Sequence, residues 1–174
     1  MSTAQSVETT PHAGTYTIDP QVSQIRFTTK HLFGTGKVEG TFSDASGTIV
    51  IADPVSESTL VASAAAGSFK TSDRRRDEKV KSAKLLHADK HPRIMFKSTG
   101  VAQEGGVWRL EGELTAAGGT APVHLTITKL VAEPSGLVIS AEGTVDRYAH
   151  GITAMKGMAA RRLQVTLNAR ASRS

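Results

Sequence analysis

Few side chains in this sequence have the type and spacing that chemistry needs, and the candidates are quickly named. His87 and His91 stand four apart in His-Ala-Asp-Lys-His, a spacing that lets two imidazoles meet one metal on a helix. His87 is not followed by the glutamate of a zinc protease, and no third ligand is evident, so no metal is expected. His31 follows a strand end and precedes a glycine loop, where it can bond a ligand head group or satisfy a strand-end carbonyl. Arg76 and Asp77 are adjacent, and a local ion pair between them would hold the surrounding segment in place. There is no Gly-x-Ser-x-Gly elbow and no phosphate loop. Gly34, Gly36 and Gly40 miss the dinucleotide spacing and lead into a strand, not a helix. The chain has no cysteine, which excludes disulfides, thiolate-bound zinc, iron–sulfur clusters and thiol nucleophiles. Neither a catalytic group nor a cofactor is expected, so a binding function comes first.

Charge gives that function a polarity. The net charge is +5, and it is unevenly spread. Residues 70–97 hold ten basic and four acidic side chains, and residues 147–174 hold six basic and none acidic. The remainder is acidic. The two basic segments can attract lipid phosphates, an anionic membrane surface or a nucleic acid, or they can be solvated surface. Nucleic acid needs aromatic stacking platforms beside the charge. Strand alternation turns Phe96 inward, so no nucleic acid is expected. His31, Arg74, Arg75 and Arg76 are the candidates for holding an anionic head group, with arginine suited to bidentate contact. Arg147 is expected to pair with an acidic residue at the base of the fold, and His124 to be solvated.

The elements that must position these residues follow a period of two. Ile25, Phe27 and Thr29 alternate with polar neighbours, as do Val38, Gly40 and Phe42. The same holds for Trp108 to Leu114, Val123 to Ile127, Leu137 to Val145 and Leu163 to Leu167. Glycine, proline and aspartate punctuate the runs. The expectation is an all-β antiparallel barrel of about eight strands, since closure hides the edges of a long meander. Residues 72–88 break the period and are rich in helix formers, with Ser72 or Asp73 as cap. A short helical insertion there would cover a barrel mouth. At 174 residues the chain suits one domain over residues 15–174, with residues 1–14 as a disordered leader. That leader lacks the basic and apolar regions of a signal peptide, and no run is long enough for a membrane helix, so a cytoplasmic location is expected.

On the dry face, Gly40, Gly112, Ala141 and Gly143 stand where a filled core places Leu or Ile. Small residues there leave room for a ligand, or they mark bends and close backbone contacts. If the face encloses a tunnel, its lining is Ile25, Phe27, Val38, Phe42, Phe96, Trp108, Leu110, Leu125, Ile127 and Ile139. In a two-sheet sandwich the same residues would be solid core. A lumen so aliphatic suits a long apolar ligand, each buried methylene contributing roughly 0.8 kcal/mol.

These residues resemble a known family, the YceI-like polyisoprenoid-binding proteins. The opening Tyr16-Thr17-Ile18-Asp19-Pro20, then Ser23, Phe27 and Lys30-His31-Leu32, is similar to that family's first strand. Gly40-Thr41-Phe42 with Asp44 and Gly47-Thr48-Ile49 resembles its second hairpin. Ser68-Phe69-Lys70-Thr71, Arg76-Asp77, Ser82 and the run Pro92 to Thr99 carry the most specific likeness. Gly112-Glu113-Leu114-Thr115, Pro122-Val123 and the turn from Arg147 to Ile152 complete it. The resemblance implies a lipocalin-like barrel with an internal tunnel for a polyisoprenoid or another long-chain lipid, such as a polyprenyl phosphate or an isoprenoid quinone tail. It implies storage or transport without chemistry and a homodimer, while the basic segments point to transient approach to an anionic membrane. A lipid-modifying enzyme, an isomerase, cyclase or hydrolase using His31 and Asp77, is the alternative.

Overall fold

The computed structural model describes residues 6–9, 11–30, 37–154 and 160–174. Among these residues, eleven strands run in chain order: β1 (Ser6–Thr9), β2 (Gly14–Ile18), β3 (Gln24–Lys30), β4 (Lys37–Phe42), β5 (Ser46–Ile51), β6 (Thr59–Ala65), β7 (Arg93–Glu104), β8 (Val107–Ala116), β9 (Gly119–Glu133), β10 (Gly136–Asp146) and β11 (Arg162–Arg173). One α-helix, α1 (Arg74–Lys81), lies between β6 and β7. Eight strands close a ring in the order β2, β5, β6, β7, β8, β9, β10, β11, and every contact around it is antiparallel. The expected lipocalin-like antiparallel barrel is therefore the observed fold.

The barrel is split at one corner. β11 pairs through Arg173 to Ala171 with β2, and through Asn168 to Gln164 with β3. β3 then pairs with β4, so the β3–β4 hairpin continues the wall that β2 and β5 begin. Beyond β4 the wall is joined by one bridge, in which Thr41 and Lys70 exchange backbone hydrogen bonds of 2.9 and 3.0 Å.

Local sequence explains the hairpins. Gly105 and Gly106, both at positive φ, make the two-residue turn from β7 to β8. Ala117 and Gly118 do the same from β8 to β9, with Ala117 paying the steric cost of φ +51°. Burial alternates as the period of two requires. Leu60, Ala62 and Ala64 of β6 point inward between exposed Thr59 and Val61. Thr128 is an extra residue in the β9–β10 ladder, and this bulge lets both Ile127 and Leu130 reach the core.

Apolar packing is divided between two ends. Tyr16, Ile18, Ile49, Leu137 and Ile139 belong to a core that fills one end, where Ile18, Leu60 and Leu137 are fully buried. Each contributes on the order of 1.5–3 kcal/mol by leaving water. Phe27, Phe69, Leu85, Leu86, Ala116 and Ile152 form a second cluster, which lies under α1.

Two expectations need correction in their bounds. The helix is shorter than residues 72–88: it begins at the cap Asp73, whose side chain accepts from the amides of Arg75 and Arg76, and ends at Lys81. Leu85 and Leu86, both buried, lie past the end of the helix. Inside the stretch read as a disordered leader, Ser6–Thr9 form β1, which pairs in parallel with β9 at Lys129 to Val131. β8 has left that edge of β9 by then, and β1 covers the exposed backbone groups. No helix among the described residues is long and apolar enough to cross a membrane.

Candidate functional site

A cavity of about 380 Å³ occupies the α1 end of the barrel. It falls within the range of roughly 300–1,000 Å³ that small-molecule sites usually have. β3 and β4 supply Ile25, Phe27, Val38 and Phe42 to its wall; β6 and β7 supply Leu60, Ala62, Ala64, Ile94 and Phe96. Leu114, Val123, Leu125, Leu163, Val165 and Leu167 close the far side. The roof comes from α1 and the segment after it, through Val80, Leu85 and Leu86, with Phe69 alongside.

Aromatic stacking stiffens one wall. The Phe27 and Phe69 rings stack at 4.9 Å between centroids, and Phe42 meets Phe69 edge-on at 5.4 Å.

Besides Thr29 and Ser63, ionisable side chains touch the cavity at two places. At one, Arg147 and His150 are buried and already engaged. The Arg147 guanidinium donates to the carbonyls of Ala160, Ile152 and Ala154 at 2.7–2.9 Å, so it ties these three residues to the end of β10. These three acceptors are all backbone carbonyls. Both ring nitrogens of His150 face carbonyls, of Leu114 at 3.0 Å and Asp146 at 3.2 Å. Beside them, Asp146 accepts from the Tyr148 amide and pairs with Arg161 at 2.9 Å. The Arg161 guanidinium holds the Asp146 carboxyl below the usual carboxylate range.

At the other place, Arg76 and Lys79 line the cavity from α1 while remaining open to solvent. Three residues apart, they share one helix face. Side chains that are both solvated and in the lining mark a mouth, and this one is cationic. α1 is held over it by Asp77, which is only 8% exposed. One carboxylate oxygen of Asp77 accepts from the Thr71 amide at 2.8 Å and from its hydroxyl at 2.6 Å. The expected Arg76–Asp77 pair is not formed: Arg76 instead approaches Asp73 at 3.9 Å and donates to the Thr71 hydroxyl at 3.3 Å.

The ten residues named for a tunnel separate into two groups. Ile25, Phe27, Val38, Phe42, Phe96 and Leu125 line the cavity. Trp108, Leu110, Ile127 and Ile139 line a separate void of about 50 Å³ toward the packed end. Alternation assigns a residue to a face of its strand and says nothing of its depth along the barrel. Of the head-group candidates, Arg76 reaches the mouth, whereas Arg74 and Arg75 are exposed and outside the lining. His31 lies outside the described residues. Lys79, Leu85, Leu86 and Phe69 belong to the site and were missed as contacts. Lys79 had a signal, its position one turn after Arg76.

The remaining candidates are structural. His87 and His91 meet edge to face with centroids 5.8 Å apart, and among the described residues no three His, Cys, Asp or Glu side chains converge on a metal site. His91 lies over Gly118, where a Cβ would come to 2.8 Å of the ring. His124 pairs with Glu111 on the outer face, where solvation alone was expected.

Comparison with known proteins matches this geometry to a family. The YceI-like domain matches residues 16–171. A UPF0312 protein of Pectobacterium atrosepticum is 32% identical over 151 residues, which is 82% of this chain and 77% of the relative. Among crystal structures, BcnA of Burkholderia cenocepacia aligns with a TM-score of 0.79 at 18% identity, covering 89% of this chain and 99% of that chain. A polyisoprenoid binding domain from Saccharophagus degradans, implicated in plant cell wall breakdown, aligns with a TM-score of 0.70 at 10% identity over 94% of this chain and 100% of that chain. At these identities the two structures share the fold.

Proposed function

Because the chain belongs to the YceI-like domain family, we propose that it binds one isoprenoid lipid, with the tail in the barrel and an anionic head group at α1. The observation that carries this reading is the cavity of about 380 Å³, walled by aliphatic and aromatic side chains and opening beside Arg76 and Lys79. An apolar tail needs no directed bonds there, and each buried methylene adds roughly 0.8 kcal/mol before the cost of ordering the chain. The two cations favour a phosphate over the neutral ring of a quinone. The polyisoprenoid binding domain of the same fold supports the ligand class.

Carriage or storage is the role we infer, and the engaged polar groups support it. Asp77, named with His31 as an acid–base group of the enzymatic alternative, has one oxygen committed to Thr71. Both nitrogens of His150 face carbonyls that hold the end of the barrel together. Exposed Arg74 and Arg75 support a transient approach to an anionic membrane during lipid transfer. A homodimer belongs to the same proposal.

Native mass spectrometry of the purified protein, followed by organic extraction, tests the reading. The expected result is an adduct whose released lipid shows isoprene-unit spacing. A clean protein mass that stays unchanged after incubation with polyprenyl phosphates, prenols and quinones overturns it.

A further inference from the structure

We propose that Leu60 partitions the barrel lumen and sets the longest tail that the cavity accepts, an inference resting on the lipid-binding reading above. Among the described residues, Leu60 is the one that lines both the cavity and the 50 Å³ void beyond it. It is 2% exposed. Along the inward face of β6 the order is Leu60, Ala62, Ala64, so the wall recedes beside the two alanines and closes at the leucine.

Its backbone is held as well. The β6–β7 ladder runs to Val61 opposite Lys97, and there the Leu60 amide donates to the buried Ser98 hydroxyl at 2.9 Å. β7 shifts register immediately afterwards, between Ser98 and Gly100. A buried bond at the end of a ladder fixes where the Leu60 side chain starts, and only its rotamer is left to vary.

The space beyond Leu60 is suited to hydrocarbon. Trp108, Leu110, Ile127 and Ile139 face it, beside Ser58 and Thr59, so its walls are largely apolar. A tail that stops at Leu60 leaves it empty, and a tail that passes Leu60 enters it. Specificity for chain length therefore resides in one side chain, at the far end of the site from the cationic mouth.

Trp108 reports which of these happens, because it is the only tryptophan in the chain and it lines the far void. The experiment titrates the full-length protein with straight-chain carboxylates of increasing length, each brominated at its terminal carbon. Binding is followed by calorimetry and tail position by quenching of Trp108. In the unaltered protein, affinity should rise with length and then level off, with Trp108 unquenched. In Leu60→Ala the rise should continue over further members, about fourfold per methylene, which is ~0.8 kcal/mol each. The longest members should then quench Trp108.

Leu60→Val, a smaller truncation that suits a strand, carries the same test if Leu60→Ala does not fold, with a smaller shift in the same direction. The proposal is overturned if long probes quench Trp108 equally in the unaltered protein, or if the length limit stays where it was in the folded variant. If the unaltered protein binds no member of the series, the lipid-binding reading itself fails, and that outcome is separate from an unmoved limit.

Discussion

Phe27 and Gly40 face each other as direct partners across β3 and β4, and the Phe27 ring fills the space that a side chain at position 40 would need. A Cβ on Gly40 would come to 2.3 Å of that ring and 2.8 Å of the Lys70 carbonyl. Gly112 is used in the same way: its Cβ would come to 2.4 Å of the Phe96 ring. Both rings line the cavity, so these two glycines set how far the aromatic wall stands back from its centre.

Gly40→Ala should therefore push Phe27 into the cavity. The expected cost is about 1–3 kcal/mol, as for other overpacked cores. A lowered midpoint in urea together with weaker uptake of an apolar probe would bear this out. Unchanged uptake would show that the ring has another place to go.

Arg76→Gln and Lys79→Gln should each weaken a polyprenyl phosphate by up to about fivefold, the range of a solvated ion pair, ~0.2–1 kcal/mol. The matching prenol, which has no charge, should bind as before. Arg74→Gln and Arg75→Gln lie outside the lining and should leave both ligands unaffected. Paired titrations with phosphate and alcohol separate head-group contact from tail burial.

Asp77→Ala removes the acceptor that ties α1 to Thr71. Two hydrogen bonds to a carboxylate are lost, each worth roughly 1.5–3 kcal/mol, part of which water recovers. The expected result is faster proteolysis within residues 72–90, with the barrel strands still protected. Asp77→Asn keeps an acceptor oxygen and should lie between the two. Equal protection in all three proteins would show that α1 is held by Val80 and by Leu85 and Leu86 of the segment after it.

Asp146 should add an acid-sensitive contribution beside Arg147 and His150 of the site. Hydrogen bonding to Arg161 is the largest cause of its lowered pKa, with the Tyr148 amide helping. A carboxyl lowered in the folded state stabilises it above the unfolded value of 3.8, and the effect disappears as pH falls through the folded value. Melting temperatures of the unaltered protein and Asp146→Asn should differ at about pH 7 and converge toward about pH 2. A constant difference would count against the pairing as the cause.

The period of two, the punctuating glycines and the motif from Ser68 to Thr99 carried the barrel, the family and the existence of a helix near Arg74 in the linear sequence. These are local signals, since each depends on neighbours within a few residues. Asp73 was legible as a cap for the same reason.

The site was legible only in part. Phe27 and Trp108 look alike in an alternating pattern, yet one lines the cavity and the other the void beyond Leu60. Gly40 and Gly112 read as empty space, but rings from other positions occupy it. Arg74, Arg75 and Arg76 are equivalent as a run, and the helix turns one of them to the mouth. What separates these residues is depth along the barrel and direction around α1. Strand stagger and tilt set the depth, and both come from pairing between distant segments such as β11 with β2 and β3. The sequence by itself determined which face of each strand is dry; only closure of the ring decided which part of that face encloses a cavity.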